Sequence, residues 1–395
     1  MIPKAELLAA AKFQKLLPTT VQKDYVLGWL LRAIAEHPIL SKWAFKGGTC
    51  LKKCFFETYR FSEDLDFTIP KDQPIGVDFL ITHLGAMAGW IESRCGLAFP
   101  RQDWKIEEYK NPHGKNAYEV RIPYAGPIGQ PAKSLQKVSF DLTQDELIVD
   151  APQSRTLHHG YTDAANPPPM VLCYTIDEIL AEKTRALVQR KGRSRDVYDV
   201  VNISRNFRDS IIPDRAREIA VKKFQFRGLQ SPTVNKIMEA IDEGVLKANW
   251  QQELAHQINV LAPVETFLAD FRDSIAWWLQ PETAKPRLQP MPQAKGRNVP
   301  RMLFPRTTWA GQDAMDHIRY AAHNRLCAVV TYHNSTRLVE PYSLRYPSTG
   351  NENLHVWEVE KEGMPSNQHK VFKTREIGSA SVSTRTFIPK WEVEL

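Results

Sequence analysis

At 395 residues the chain is longer than one hydrophobic core comfortably serves, so its length predicts two or three domains. Hydrophobic residues make up 43% and charged residues 25%, and no run reaches the ~18 uninterrupted apolar residues of a membrane helix, which argues against a spanning segment. Residues 1–6 lack the charged-then-apolar pattern of a secretory signal, and five scattered cysteines argue against a disulfide framework, so a cytoplasmic location is expected.

Apolar residues at helical spacing predict helices over 5–17 and 22–36. A short strand, 43–46, runs into the turn Gly47-Gly48, and Thr49 opens a helix reaching about residue 57. Cys50 and Cys54 on that helix read as buried packing. Residues 65–69 alternate like a strand and stop at Pro70. A helix over 77–92 and strands over 104–109, 117–123 and 137–142 complete a small mixed sheet.

After the prolines at 167–169, helical periodicity returns over 176–189 and 197–204, then 214–225 and 231–279. Residues 281–305 hold six prolines and read as a basic interdomain linker. Beyond it the pattern gives one helix, 311–325, and strands at 328–332, 338–341, 354–359, 370–372 and 382–387, the signature of a small β-barrel-like domain. The expected division is therefore 1–165, 166–280, 281–305 and 306–395, an α+β core completed by a helical unit and followed by a small β domain.

The net charge of +7 suits a polyanionic partner, and its distribution is uneven. Between Lys285 and Arg325 eight basic residues stand against two acidic ones. Lys295, Arg297, Arg301 and Arg306 in this stretch, with Arg193 and Arg195 upstream, are candidate contacts to nucleic-acid phosphates.

The chemistry centres on Phe45-Lys46-Gly47-Gly48-Thr49 followed by Arg60-Phe61-Ser62-Glu63-Asp64-Leu65-Asp66-Phe67. Side chains two apart on a strand share one face about 7 Å apart, so Asp64 and Asp66 present both carboxylates together while Leu65 and Phe67 enter the core. Two like charges on one face call for a cation, and a rigid oxygen-rich site suits Mg²⁺ or Mn²⁺ holding substrate phosphates. The glycine turn feeding Thr49 offers backbone N–H groups to those phosphates.

Val138, Phe140 and Leu142 alternate with Ser139 and Asp141, which makes Asp141 the candidate third carboxylate, as metal ligand or proton acceptor. Lys183, on a helix with an apolar face at Ile176, Ile179, Leu180 and Leu187, is placed to reach a triphosphate, and Asp196 opens the next helix.

Gly47-Gly48-Thr49-x-Leu51-x-Lys53, Arg60-x-Ser62-x-Asp64-Leu65-Asp66-Phe67, Asp141, Lys183 and Arg195-Asp196-x-Tyr198-Asp199 together resemble the AbiEii/AbiGii (MenT-like) nucleotidyltransferase toxin family over residues 20–280. The resemblance implies a polymerase-β-like nucleotidyltransferase fold in which Asp64, Asp66 and Asp141 hold the metal. It further implies that Gly47, Gly48, Thr49, Lys53, Arg60, Ser62 and Lys183 line the nucleotide site and that Lys183 and Asp196 serve catalysis. A toxin acting on RNA, tRNA above all, and a cognate antitoxin partner are implied as well.

The extra C-terminal segment departs from the usual toxin core. Val330-Thr331-Tyr332, the run from Arg337 to Leu344 and the stretch from Lys370 to Pro389 resemble the WYL domain, although Leu354-His355-Val356-Trp357 stands where its Trp-Tyr-Leu triplet would fall. Two other activities fit the residues: nucleotide transfer to a protein hydroxyl, and a nucleic-acid-binding defence regulator with a vestigial transferase core. Oligomeric state leaves no mark on the sequence.

Overall fold

The computed structural model describes residues 1–56, 59–110, 115–299, 313–348 and 350–395. Helices α1 (Lys4–Gln14) and α2 (Pro18–Glu36) open the chain. Pro18 sits in the first turn of α2, where its missing N–H costs nothing. Strand β1 (Ala44–Lys46) leads into helix α3 (Gly47–Cys50), which widens into a π-turn over Leu51–Phe55. Then come β2 (Asp64–Thr68), helix α4 (Val77–Cys95), β3 (Lys105–Lys110), β4 (Asn116–Tyr124) and β5 (Gln136–Thr143). Two short strands, β6 (Gln153–Thr156) and β7 (Met170–Cys173), complete a seven-stranded sheet ordered β3-β4-β5-β2-β1-β7-β6.

Strands β2 and β5 are parallel, as are β1 and β7, and the remaining pairs are antiparallel. Leu65 and Phe67 of β2, Val138, Phe140 and Leu142 of β5, and Val120 and Ile122 of β4 are buried on one face. Helix α2 packs against β5 and β7 and carries α4 on its flank. The alternate positions of β2 and β5 are polar and share the opposite face with Glu119 and Arg121 of β4.

A helical unit follows: α5 (Ile176–Gln189), α6 (Ser194–Phe207), α7 (Pro213–Phe226), α8 (Val234–Glu239), α9 (Glu243–Leu254) and α10 (Val264–Leu279). The continuous helix expected over 231–279 is thus three helices. Thr233 accepts a hydrogen bond from the Lys236 N–H and Asp242 one from the Val245 N–H, capping α8 and α9, while Pro263 precedes α10. Each cap satisfies donors that only a new helix start leaves open.

Residues 281–299 run along the protein surface. Arg287 pairs with Asp209 and Glu392, Met291 is buried, and β8 (Arg297–Asn298) joins the C-terminal sheet through β10 (Ser335–Tyr346). That sheet contains β9 (Leu326–Tyr332), β10, β11 (Asn353–Lys361), β12 (Met364–Lys373) and β13 (Ile377–Thr386), ordered β12-β11-β10-β9-β13 and antiparallel throughout. Helix α11 (Ala314–His323) packs on β9, β10 and β13 and docks the domain on the helical unit. The Tyr198 hydroxyl donates to Asn324 Oδ1 at 3.1 Å, and the Tyr320 hydroxyl to the Val260 carbonyl at 3.0 Å.

Candidate active site

The polar face of the seven-stranded sheet is organised in rows by strand register. Asp66 on β2 is paired with Asp141 on β5, Asp141 with Glu119 on β4, and Glu119 with Glu107 on β3; on the other side Asp66 is paired with Lys46 on β1. One row therefore reads Lys46, Asp66, Asp141, Glu119, Glu107. The adjacent row reads Asp64, Ser139, Arg121, Lys105. Asp66 and Asp141 are thus register partners with Asp64 two residues along β2 on the same face, and Glu119 is a neighbour that the sequence alone did not reveal.

The glycine turn closes over this row. Gly47 has φ +81°, a left-handed conformation that an L side chain resists, and a Cβ built there would lie 2.0 Å from Asp66 Oδ2. The absence of a side chain is what lets the Asp66 carboxylate lie against the turn. At Gly48 a Cβ would meet Arg60 Nη2 at 2.5 Å and Ser62 Oγ at 3.1 Å, so Ser62 lies beside the turn as well. Thr49 is buried, and its hydroxyl donates to the Asp64 carbonyl at 2.5 Å, tying the start of α3 to β2.

Electrostatics mark the three carboxylates as unbalanced. Burial pushes Asp66 up to about 6, with Lys46 opposing and Asp141 and Asp64 adding to the rise. Burial also raises Asp64, eased by Lys23 and aggravated by Glu63, and it raises Asp141, which feels Asp64 and Glu119. Three carboxylates that disfavour their own charge, gathered at a cradle only glycine permits, are the donor set a hard divalent cation takes. The residues present fit such an ion.

Lys46 bounds the row. Its ammonium lies 3.1 Å from Glu182 and 3.8 Å from Glu146, and although burial works against its charge, Glu182, Tyr174 and Glu146 hold its pKa above the usual lysine value. Glu182 and Glu146 are in turn neutralised by Lys223, Arg185 and Arg227. This ion-pair network fixes α5 and α7 beside β1.

Two expected nucleotide contacts are held in buried ion pairs, Arg60 beside the glycine turn. Lys53 is buried, pairing with the Asp24 carboxylate at 2.9 Å and donating to the Asp24 carbonyl at 3.0 Å. Arg60 is also buried, forming a two-pronged pair with Asp199 at 2.8 Å for each contact and donating to Gln257 Oε1 at 3.0 Å. The Tyr59 hydroxyl donates to the same Asp199 at 2.5 Å. Both cations are engaged inside the protein, where a phosphate cannot replace their partners without stranding a buried carboxylate.

Lys183 is partly exposed. Its ammonium lies between Asp199 at 2.8 Å and Asp196 at 3.3 Å, with 14% of the side chain exposed. Arg60 and Lys183 overcome the burial of Asp199 and hold it below the usual carboxylate range. Arg195 is half-buried and stabilises the charge on Asp64, whereas Arg193 is exposed just before α6. Lys295 and Arg297 are exposed, Arg297 within β8. Arg301 and Arg306 lie outside the described residues.

Away from the carboxylates, β7 brings Cys173 to Cys50 and Cys54, and the three buried sulfurs lie within 4.8 Å of one another. No helix among the described residues is long and apolar enough to cross a membrane.

The family described as nucleotidyl transferase AbiEii toxin, type IV toxin–antitoxin system, matches residues 29–279. Among solved structures, MenT4, a nucleotidyltransferase toxin from Mycobacterium tuberculosis H37Rv, superposes with a TM-score of 0.50 at 17% identity, covering 71% of this chain and 90% of that one. No curated protein matches the chain. The family match stops at residue 279, so the C-terminal sheet and its WYL-like reading lie outside it.

Proposed function

Because the chain belongs to the AbiEii nucleotidyltransferase toxin family, whose type IV toxin–antitoxin class implies a cognate antitoxin, we propose that it transfers a nucleoside monophosphate from a nucleoside triphosphate to an RNA 3′ hydroxyl, with tRNA as acceptor. The observation that carries this reading is the register pairing of Asp66 with Asp141, next to Asp64 and under the Gly47 turn.

The acceptor oxygen forms a bond to the α-phosphorus, the bond between that phosphorus and the bridging oxygen breaks, and pyrophosphate leaves with the electron pair. Asp141 takes the proton of the attacking hydroxyl. Asp64, Asp66 and Asp141 would hold Mg²⁺ or Mn²⁺, which would polarise the α-phosphate and balance charge on the leaving group. The N–H groups at the start of α3 cradle phosphate oxygens, beside Ser62. Lys183 turns from Asp196 toward the triphosphate when it binds, while Asp199 keeps its pairing with Arg60. Arg193 and Arg195, with Lys295, Arg297, Arg301 and Arg306, are the basic side chains that would contact acceptor phosphates with little dependence on sequence.

Incubating the purified chain with each α-labelled triphosphate, Mg²⁺ and either total tRNA or cell extract tests the reading. Label on RNA 3′ ends supports it. Label on protein would replace it with a protein-modifying transferase, and no transfer under any condition would point to a binding regulator with a vestigial core.

A further inference from the structure

The acidic row gives the cleft a direction. Gly47 and the start of α3 lie at the Lys46 end, and the row runs from there through Asp66 and Asp141 to Glu119 and Glu107 at the sheet edge. In an in-line displacement the nucleophile enters opposite the leaving group. With phosphates held at the glycine turn, the acceptor comes in over β5, β4 and β3. The helical unit lies beside β1, whereas the β3 end of the polar face stays open: Lys105, Glu107 and Tyr109 are all exposed.

Tyr109 is a large aromatic side chain, 44% exposed, on the same face as the carboxylates. Its register partner is Ala117, and beyond Ala117 comes Thr143, so no bulky side chain stands between the ring and β5. The phenol lies within the field of Asp141, Glu119 and Asp66, which together with partial burial raises its pKa. Arg121 pairs with Glu119 at 2.7 Å and approaches Glu107 at 3.7 Å, which offsets part of that negative field.

We propose that the β3–β4 ledge is the acceptor platform and that the Tyr109 ring stacks on a base in the single-stranded 3′ end of the RNA, placing its terminal hydroxyl at Asp141. This rests on the RNA-acceptor reading above. An exposed ring suits single-stranded nucleic acid because every base has a π-face, so stacking on it needs no particular sequence. A duplex end, whose bases are already stacked, gains less from the ring.

The test uses the full-length protein and two fluorescein-labelled RNA hairpins, one blunt and one with a short single-stranded 3′ overhang. Fluorescence anisotropy should show tighter binding of the overhang, a loss of about tenfold or more in Tyr109→Ala, and near-parental binding in Tyr109→Phe, which keeps the ring. In the transfer reaction Tyr109→Ala should raise KM for RNA and leave KM for the triphosphate unchanged. Thermal melting checks that the exposed substitution leaves the fold intact. Equal binding of the overhang by parent and Tyr109→Ala overturns the platform, as does Tyr109→Phe failing like Tyr109→Ala. If the parent labels RNA with the same KM as Tyr109→Ala, the ring's role falls and the transferase reading stands. If the parent labels only protein, both fall.

Discussion

Asp66 and Asp141 stand opposite each other as register partners on the adjacent parallel strands β2 and β5. Cross-strand neighbours on one face have Cβ atoms about 5 Å apart, so like charges there weaken the sheet unless something binds between them. The pairing is permanent, fixed by backbone hydrogen bonds and by the buried alternates Leu65, Phe67, Phe140 and Leu142. The fold thus carries a built-in electrostatic cost that a bound divalent ion would relieve.

That cost makes stability depend on pH. Burial lifts Asp66 to about 6 from its ordinary 3.8, so its contribution is fully present below 3.8 and is lost as pH rises through 6. Metal-free protein should lose on the order of 2 kcal/mol at this group between about pH 4 and pH 7.5. Asp66→Asn should therefore be more stable than its parent near neutral pH without metal, and the gap should close on acidification. Urea unfolding of both proteins at the two pH values checks this, and a gap that does not vary with pH would contradict it.

Gly47→Ala should cost at least about a hundredfold in transfer rate, because its Cβ would lie 2.0 Å from Asp66 Oδ2 and displace a ligand that must be held to within about an ångström. Gly48→Ala presses instead on Arg60 Nη2 and should act mainly on stability. Single-turnover rates and melting temperatures of the two variants, compared side by side, separate these effects. The reverse pattern would mean that the turn serves the fold and not the site.

Arg60 and Asp199 form a buried pair, so Arg60→Ala should cost about 3–5 kcal/mol of unfolding free energy, as should Asp199→Asn. The double variant should cost less than the two losses added, since neither then leaves a stranded charge. A direct nucleotide role would show up differently: Arg60→Ala would keep its stability and raise KM for the triphosphate.

Much of the site was legible because strands obey a period of two. Asp64, Asp66 and Asp141 alternate with apolar residues that can only face the core, and the paired glycines announce a turn whatever surrounds them. Lys53 and Arg60 carry the right charge at suggestive spacing, but a sequence does not disclose depth. The π-turn over Leu51–Phe55 breaks the 3.6-residue period used to assign faces, and Lys53 points inward to Asp24. Glu119 escaped notice because its relation to Asp141 comes from strand order, which no local pattern specifies. Strands β6 and β7, four residues each, were too short to register as periodic. The break at Asp242 was readable as a helix cap but was outweighed by the apolar run around it.

The most direct test of the whole account is a Mn²⁺ titration followed by electron paramagnetic resonance, with a non-hydrolysable triphosphate present, on the parent protein and on Asp66→Asn and Asp141→Asn. The parent should bind tightly and both variants should lose binding, with each fold intact by circular dichroism. Undiminished Mn²⁺ binding in folded Asp66→Asn and Asp141→Asn would contradict it.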